Sequence, residues 1–357
     1  MSPVRHLPVS TIALAAIVAL TGCAGHRADN LFSAEPALSD AGIARTHGIY
    51  IATTREPSPD ARRVFDGKRA RTPTFARIDM SVPAIHKVGA IERPVGERAD
   101  PSKYFTARSI TPIPGVNAFA RTVAADARPD GGRALVFVHG YNTDFDDAVY
   151  RLTQISHDSG YTGAPILFSW ASGGKTIDYV YDRDSANAAR DALEQLLDEL
   201  ARSGLKRIDI VAHSMGTWLT MEALRGLAIG GNRDVDGRLG DVVLASPDID
   251  VDVFKTQMKR YGKPDRPFIV LLSDDDQALR FSSMIAGKQP RLGDYRNAAD
   301  IAALGVIVAD LTAVKAGDSL NHTKFADNPA LVKLLGDKLR EGDNLTADPD
   351  DGAGLLA

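Results

Sequence analysis

Ile208-Asp209-Ile210-Val211-Ala212-His213-Ser214-Met215-Gly216 decides the architecture of this chain. An apolar run of strand length stops at a serine, and Thr217 to Leu227 continues with helical spacing. A strand that turns sharply at a serine and leaves as a helix presents the hydroxyl on a strained turn. Residues two before and two after must be small, because strand and helix approach closely there. Ala212 and Gly216 meet that demand. A serine hydroxyl is a weak nucleophile at neutral pH and needs an adjacent base. In this arrangement the partners follow in chain order, an acid and then a histidine. Only His322 follows Ser214; His6, His26, His47, His86, His139, His157 and His213 all precede it. The base is therefore expected at His322, in the polar loop Ser319-Leu320-Asn321-His322-Thr323.

The elements around this turn alternate. Ala134 to Val138 is a continuous apolar run, suited to a strand covered on both faces. Asp144 to about Ser156 reads as a helix with Ala148, Leu152 and Ile155 on one stripe, and Ile166 to Phe168 as the next strand. Ser185 to Leu200 reads as a long amphipathic helix with Ala188, Ala192, Leu196 and Leu200 along it. Strands at Val242 to Leu244, Phe268 to Leu272 and Val306 to Val308 follow, and Pro329 to Leu339 closes as a helix. Upstream, Gly48 to Thr53 and Phe75 to Val82 read as strands, and about Lys87 to Pro114 as a long excursion. The expected fold is α/β, a mostly parallel central sheet with helices on both faces plus N-terminal strands.

The acid should follow the strand that ends at Leu272, where Ser273-Asp274-Asp275-Asp276-Gln277-Ala278-Leu279 offers three carboxylates. Three adjacent acids cannot all face one imidazole, and at least one should cap the helix beginning near Ala278. Asp276 is favoured; Asp274, Asp275 and Asp248, the last after the preceding strand, compete. The acid's task is to fix the tautomer of His322 and stabilise its cation. His139-Gly140-Tyr141-Asn142 closes the first strong strand, and the backbone N–H groups of Tyr141 and Met215 are the expected oxyanion donors.

The N-terminus has a different character. Arg5 and His6 precede an apolar run from about Leu7 to Leu20, short for a membrane span but suited to a signal segment. It ends in Leu20-Thr21-Gly22-Cys23, which resembles the bacterial lipobox; Cys23 is the only cysteine of the chain. Residues 1–22 are thus expected to be a lipoprotein signal peptide. Cys23 is expected to carry lipid, 23–46 to form a tether, 47–340 the folded domain and 341–357 a disordered acidic tail. Cell-envelope anchoring follows, at the outer membrane facing the periplasm in a Gram-negative host, since Ala24 rather than Asp follows the cysteine. With no further thiol there is no disulfide and no cysteine nucleophile.

The 357 residues carry 42 basic and 46 acidic side chains, so no basic excess points to nucleic acid. Gly173-Gly174-Lys175-Thr176 lacks the earlier glycine of a phosphate loop, having Ser169 there. Asn232 to Gly237 starts like a calcium loop, but its last ligand position is Val243, inside a strand. No metal and no cofactor are expected.

Ala134 to Asn142, Phe168 to Gly173, Ala212 to Gly216, Leu244 to Phe254, Ser273 to Leu279 and the His322 loop occur together in one order. With the upstream Ile49 to Arg55 and Ser81 to His86, they resemble a bacterial α/β-hydrolase family classed with esterases and lipases and described as a domain of unknown function. The likeness runs from about Gly48 to Leu339. It departs at Ala171, where the family often has Pro, and at Ala212, where hydrolases at large prefer Gly. The resemblance implies the α/β-hydrolase fold, a Ser/Asp/His site with the acid on Asp276, and no cofactor. A serine hydrolase acting on small-molecule carboxylic esters is the expected function. The competing expectation is an envelope lipoprotein whose hydrolase-like fold binds or scaffolds without turnover.

Overall fold

The computed structural model describes residues 30–33, 40–94, 99–315 and 317–341. The expected signal peptide, Cys23 and the expected tail beyond residue 341 lie outside the described residues. A sheet of nine strands organises the rest, in the order β3-β2-β1-β5-β4-β6-β7-β8-β9. In chain order these are β1 (Ile43–Pro57), β2 (Phe65–Pro83), β3 (Thr106–Ile113), β4 (Arg133–Val138), β5 (Ala164–Ser169), β6 (Arg207–His213), β7 (Leu239–Ala245), β8 (Ile269–Leu272) and β9 (Ile307–Asp310). Strands β4 to β9 run parallel, and β1 joins them in parallel with β5, Tyr50 lying opposite Ile166. Only β2 runs against its neighbours β1 and β3.

The sequence pattern explains why the sheet is covered twice. In β4, Ala134, Val136 and Val138 enter one apolar cluster while Leu135 and Phe137 enter the other. Each such buried aliphatic or aromatic side chain contributes about 1.5–3 kcal/mol. The first cluster is capped by helices α1 (Gly115–Ala127), α3 (Tyr179–Arg202), α4 (Met215–Ile229) and α5 (Val251–Tyr261), the second by α2 (Phe145–Asp158). Short helices α6 (Gln277–Ile285), α7 (Ala298–Ala302) and α8 (Lys324–Asp327) precede the last, α9 (Pro329–Glu341).

The expected fold class holds, and several local readings change. The stretch read as an excursion contains the edge strand β3, whose Arg108 and Ser109 are half-buried and Thr111 exposed while its backbone pairs with β2. The first two strands are longer than read, since their outer turns are polar yet stay paired: Arg55 lies opposite Arg69 and Pro57 opposite Phe65. Helix α1 was not read at all, although Phe119, Ala120, Val123, Ala124 and Ala127 form its buried stripe. In α3 the buried stripe passes through Ala186, Ala189, Leu193, Leu196 and Leu200; Ala188 is exposed and Ala192 half-buried.

Asp146, in the first turn of α2, is buried with one carboxylate oxygen unpartnered. Burial and the neighbouring charge of Asp147 push its carboxyl up from 3.8 to about 7, against the pull of Arg93. A folded-state value above the unfolded one means that stability is highest when the group is protonated and falls as pH rises through that interval. Asp146→Asn is therefore expected to raise the thermal midpoint at pH 8 but hardly at pH 4. The gain should follow the usual scale of about 2–4 °C per kcal/mol relieved, read by scanning calorimetry at both pH values.

Candidate active site

At the C-terminal end of β6 the chain turns at Ser214 with φ +52° and ψ −125°, then enters α4. A non-glycine residue at positive φ costs on the order of 1–3 kcal/mol and persists only where its surroundings enforce it. Here they do. Ser214 N–H donates to the Ala245 carbonyl (3.0 Å), and the Ser214 carbonyl accepts from Thr217 and Asp248 N–H. A side-chain carbon at Gly216 would stand 2.3 Å from the His139 carbonyl oxygen, and one at Gly140 would stand 2.8 Å from Ser214 Cβ. Glycine at both places is the condition for this turn to form beside the 139–143 loop.

That loop is held by groups from three other elements. Arg55, fully buried at the far end of β1, donates from Nη2 to the Thr143 carbonyl (2.7 Å), from Nη1 to the Ser172 carbonyl (3.0 Å) and from Nε to Ser169 Oγ (2.8 Å). Burial lowers its value to about 10, with Asp144 and Asp182 opposing that shift, so it stays charged at neutral pH. Asp182 of α3 accepts from the N–H groups of Asn142 (3.0 Å) and Gly173 (2.7 Å). The Trp170 indole donates to the His139 carbonyl (2.8 Å) and stacks on its ring. His139 is pushed down to about 3 by burial and then by Arg55, which keeps it neutral. Among the described residues the N–H groups of Tyr141 and Met215 have no protein acceptor, so both expected oxyanion donors are open.

Of the candidate acids, Asp276 meets His322. Its Oδ2 accepts from His322 Nδ1 at 2.7 Å while its Oδ1 accepts from Leu279 N–H at 3.0 Å, capping α6. The residue expected to orient the base and the residue expected to cap the helix are the same. Asp275 pairs with Lys324 Nζ (2.7 Å), a buried amine that also donates to the Leu311 carbonyl (2.9 Å). Asp274 stands 3.7 Å from Arg296. Asp248 is committed elsewhere, to Tyr179 Oη (3.1 Å), Ser282 Oγ and the Arg291 guanidinium (3.2 Å).

The loop carrying His322 is shaped by Asp318, whose carboxylate accepts from the N–H groups of Leu320, His322 and Thr323. The His213 ring, immediately before Ser214, donates from Nε2 to the His322 carbonyl (3.1 Å) and lies 4.6 Å from the His322 ring. Burial, followed by the charge of His322, holds His213 well below the ordinary histidine value. For His322 burial opposes protonation, but the charge and hydrogen bond of Asp276 outweigh it, and the net direction is upward from 6.5. The His322 ring bonds Asp276 through Nδ1, and among the described residues no hydrogen bond joins it to Ser214 Oγ.

Residues 117–338 match the family model described as alpha/beta hydrolase of unknown function (DUF900). The chain belongs to this family. Among solved structures it is similar to Aspergillus fumigatus lipase B, at 14% identity and TM-score 0.42 over 63% of this chain and 57% of that one. It is also similar to an esterase of Pyrobaculum calidifontis, at 13% identity and TM-score 0.38 over 84% and 86% of the two chains. This α/β-hydrolase thus spans a little over half the length of the fungal lipase it matches. No curated protein matches it in sequence.

Sequence reasoning singled out Ser214, Asp276, His322, Tyr141 and Met215, and missed Arg55, Asp182 and Lys324 as groups that position them. The one available signal was a likeness ending on Arg55; a lysine buried two residues after the histidine carries none. Replacing Asp276 by Asn is expected to lower turnover roughly 10⁴-fold, as loss of the orienting acid does in such triads. Asp248→Asn and Asp274→Asn should leave it far less affected. If His322 is the base that the sequence leads one to expect, its unprotonated form is the active one, so the acid limb of kcat/KM should lie above pH 6.5 and move downward in Asp276→Asn. Steady-state pH profiles of the three variants check both points.

Proposed function

We propose that this α/β-hydrolase is a serine esterase cleaving carboxylic esters, anchored to the cell envelope through lipid on Cys23. The observation that carries the reading is the Asp276–His322 hydrogen bond beside a serine held on a strained strand-to-helix turn. His322 removes the proton of Ser214 as its oxygen attacks the acyl carbon, and the N–H groups of Tyr141 and Met215 take the tetrahedral oxyanion. Collapse breaks the ester C–O bond, and the imidazolium returns its proton to the departing alcohol. Water, deprotonated by the same imidazole, then releases the acid and frees Ser214. Removing one oxyanion donor typically costs roughly 10²–10³ in rate, so the 139–143 loop bears on turnover as well as the side chains.

A fluorophosphonate probe is expected to label the protein at one site, and Ser214→Ala to abolish labelling and hydrolysis of short chromogenic esters together. A protein that stays unlabelled under all conditions would instead be the non-catalytic envelope lipoprotein. For the anchor, Cys23→Ser is expected to shift the protein from the membrane to the soluble fraction on ultracentrifugation. Unchanged fractionation would remove the lipid from the account.

A further inference from the structure

Leu31 and Phe32 lie at one particular end of the molecule. Leu31 is buried in the same apolar cluster as Phe65 and Phe145, and Phe32 N–H donates to the Arg62 carbonyl (2.9 Å). Arg62 lies in the turn between β1 and β2. Because β1 is parallel to β5, with Thr53 opposite Ser169, that turn sits at the C-terminal end of the parallel strands. This is the end that carries Ser214, Asp276 and His322. The hairpin is tied there to the first turn of α3, through Tyr181 Oη donating to the Gly67 carbonyl (3.0 Å), and to the loop after β5, through Arg55 donating to the Ser172 carbonyl. Cys23 precedes Asn30 by seven residues, which span at most about 25 Å when fully extended.

The same end exposes large apolar side chains. Ile177 is 89% exposed and Met284 68%, with Val180 and Ile285 beside them in sequence and also exposed. The two segments are joined by the hydrogen bond between Tyr179 Oη and Ser282 Oγ (2.7 Å), each partner two residues from the apolar tip it supports. Exposed Lys175, Arg280 and Lys288 lie within four residues of these tips in sequence, with the half-buried Asp178 as an acidic neighbour. Apolar tips among cations are the composition that settles into the headgroup region of an anionic bilayer.

We propose that this end of the molecule, with Ile177, Val180, Met284 and Ile285 foremost, rests on an anionic lipid surface and receives ester substrates from it. The proposal rests on the esterase reading and on lipid at Cys23, and adds the orientation of the body and the physical state of the substrate. With Leu31 packed at the catalytic end and Cys23 only eight residues before it, lipid on Cys23 keeps that end toward the bilayer. The opposite end, where Ile85 and Val88 are exposed, faces away.

Acylation consumes the only native thiol, so Ile177→Cys, Met284→Cys and Val88→Cys each give the acylated full-length protein a single free thiol for an environment-sensitive fluorophore. After reconstitution into vesicles of phosphatidylcholine and phosphatidylglycerol, spin-labelled lipid is expected to quench the dye at 177 and 284 but not at 88. Equal quenching at all three, or none at 177 and 284, overturns the orientation. In parallel, the double variant Ile177→Asp/Met284→Asp should hydrolyse a vesicle-borne long-chain ester about tenfold more slowly while retaining turnover of a water-soluble short ester. Equal retention of both activities overturns the surface-delivery claim. Labelling of the unsubstituted protein at Cys23 would expose a missing anchor. Quenching at 177 and 284 in a sample that no fluorophosphonate labels would leave the orientation standing and remove the esterase.

Discussion

The Ser214 backbone cannot relax. Its positive φ is held by a carbonyl from β7 on one side and the first turn of α4 on the other, with Gly140 and Gly216 leaving no room for retreat. The strain is small beside the apolar burial of β6 and α4, where Ile208, Ile210, Ala212, Leu219 and Leu224 are all wholly enclosed. Packing that would be needed for any α/β sheet therefore also keeps one hydroxyl at the rim. Placing the partner is a separate problem, because His322 sits in the loop beyond a short outer strand and not on the middle of the sheet.

Charged side chains withdrawn from solvent address that problem. Arg55 fastens the loop that offers Tyr141, Asp182 fastens the residue after it, and Lys324 fastens the residues after His322. Such groups are costly to desolvate and stabilise only when their hydrogen-bonding capacity is filled, which it is for the Arg55 and Lys324 ends. Matched family residues begin at 117, yet the Arg55 side chain comes from a hairpin well before that point. The N-terminal strands belong to the working body and extend its sheet.

What could be read from sequence follows what is local. The elbow, the covered strand at 134–138 and the histidine that must come last were legible because each depends on a few consecutive residues or on chain order. Helix α1 had a legible stripe and was overlooked. Strand β3 was not legible, since its polar edge residues are fixed by pairing with β2 and not by their own pattern. The partners of Arg55 and Lys324 lie tens of residues away, beyond any window of periodicity. The choice among Asp274, Asp275 and Asp276 needed three dimensions: adjacent carboxylates diverge, one to an amine, the next to an imidazole.

Asp276 divides its two oxygens between a helix and an imidazole. Fraying of the first turn of α6 and misalignment of the imidazole are consequently one event. On the proposed mechanism, a small local opening far short of global melting would stop turnover, and ordering of that same turn would restore it. The element that reports loss of function first is then a nine-residue helix at the rim, while the sheet behind it is still intact.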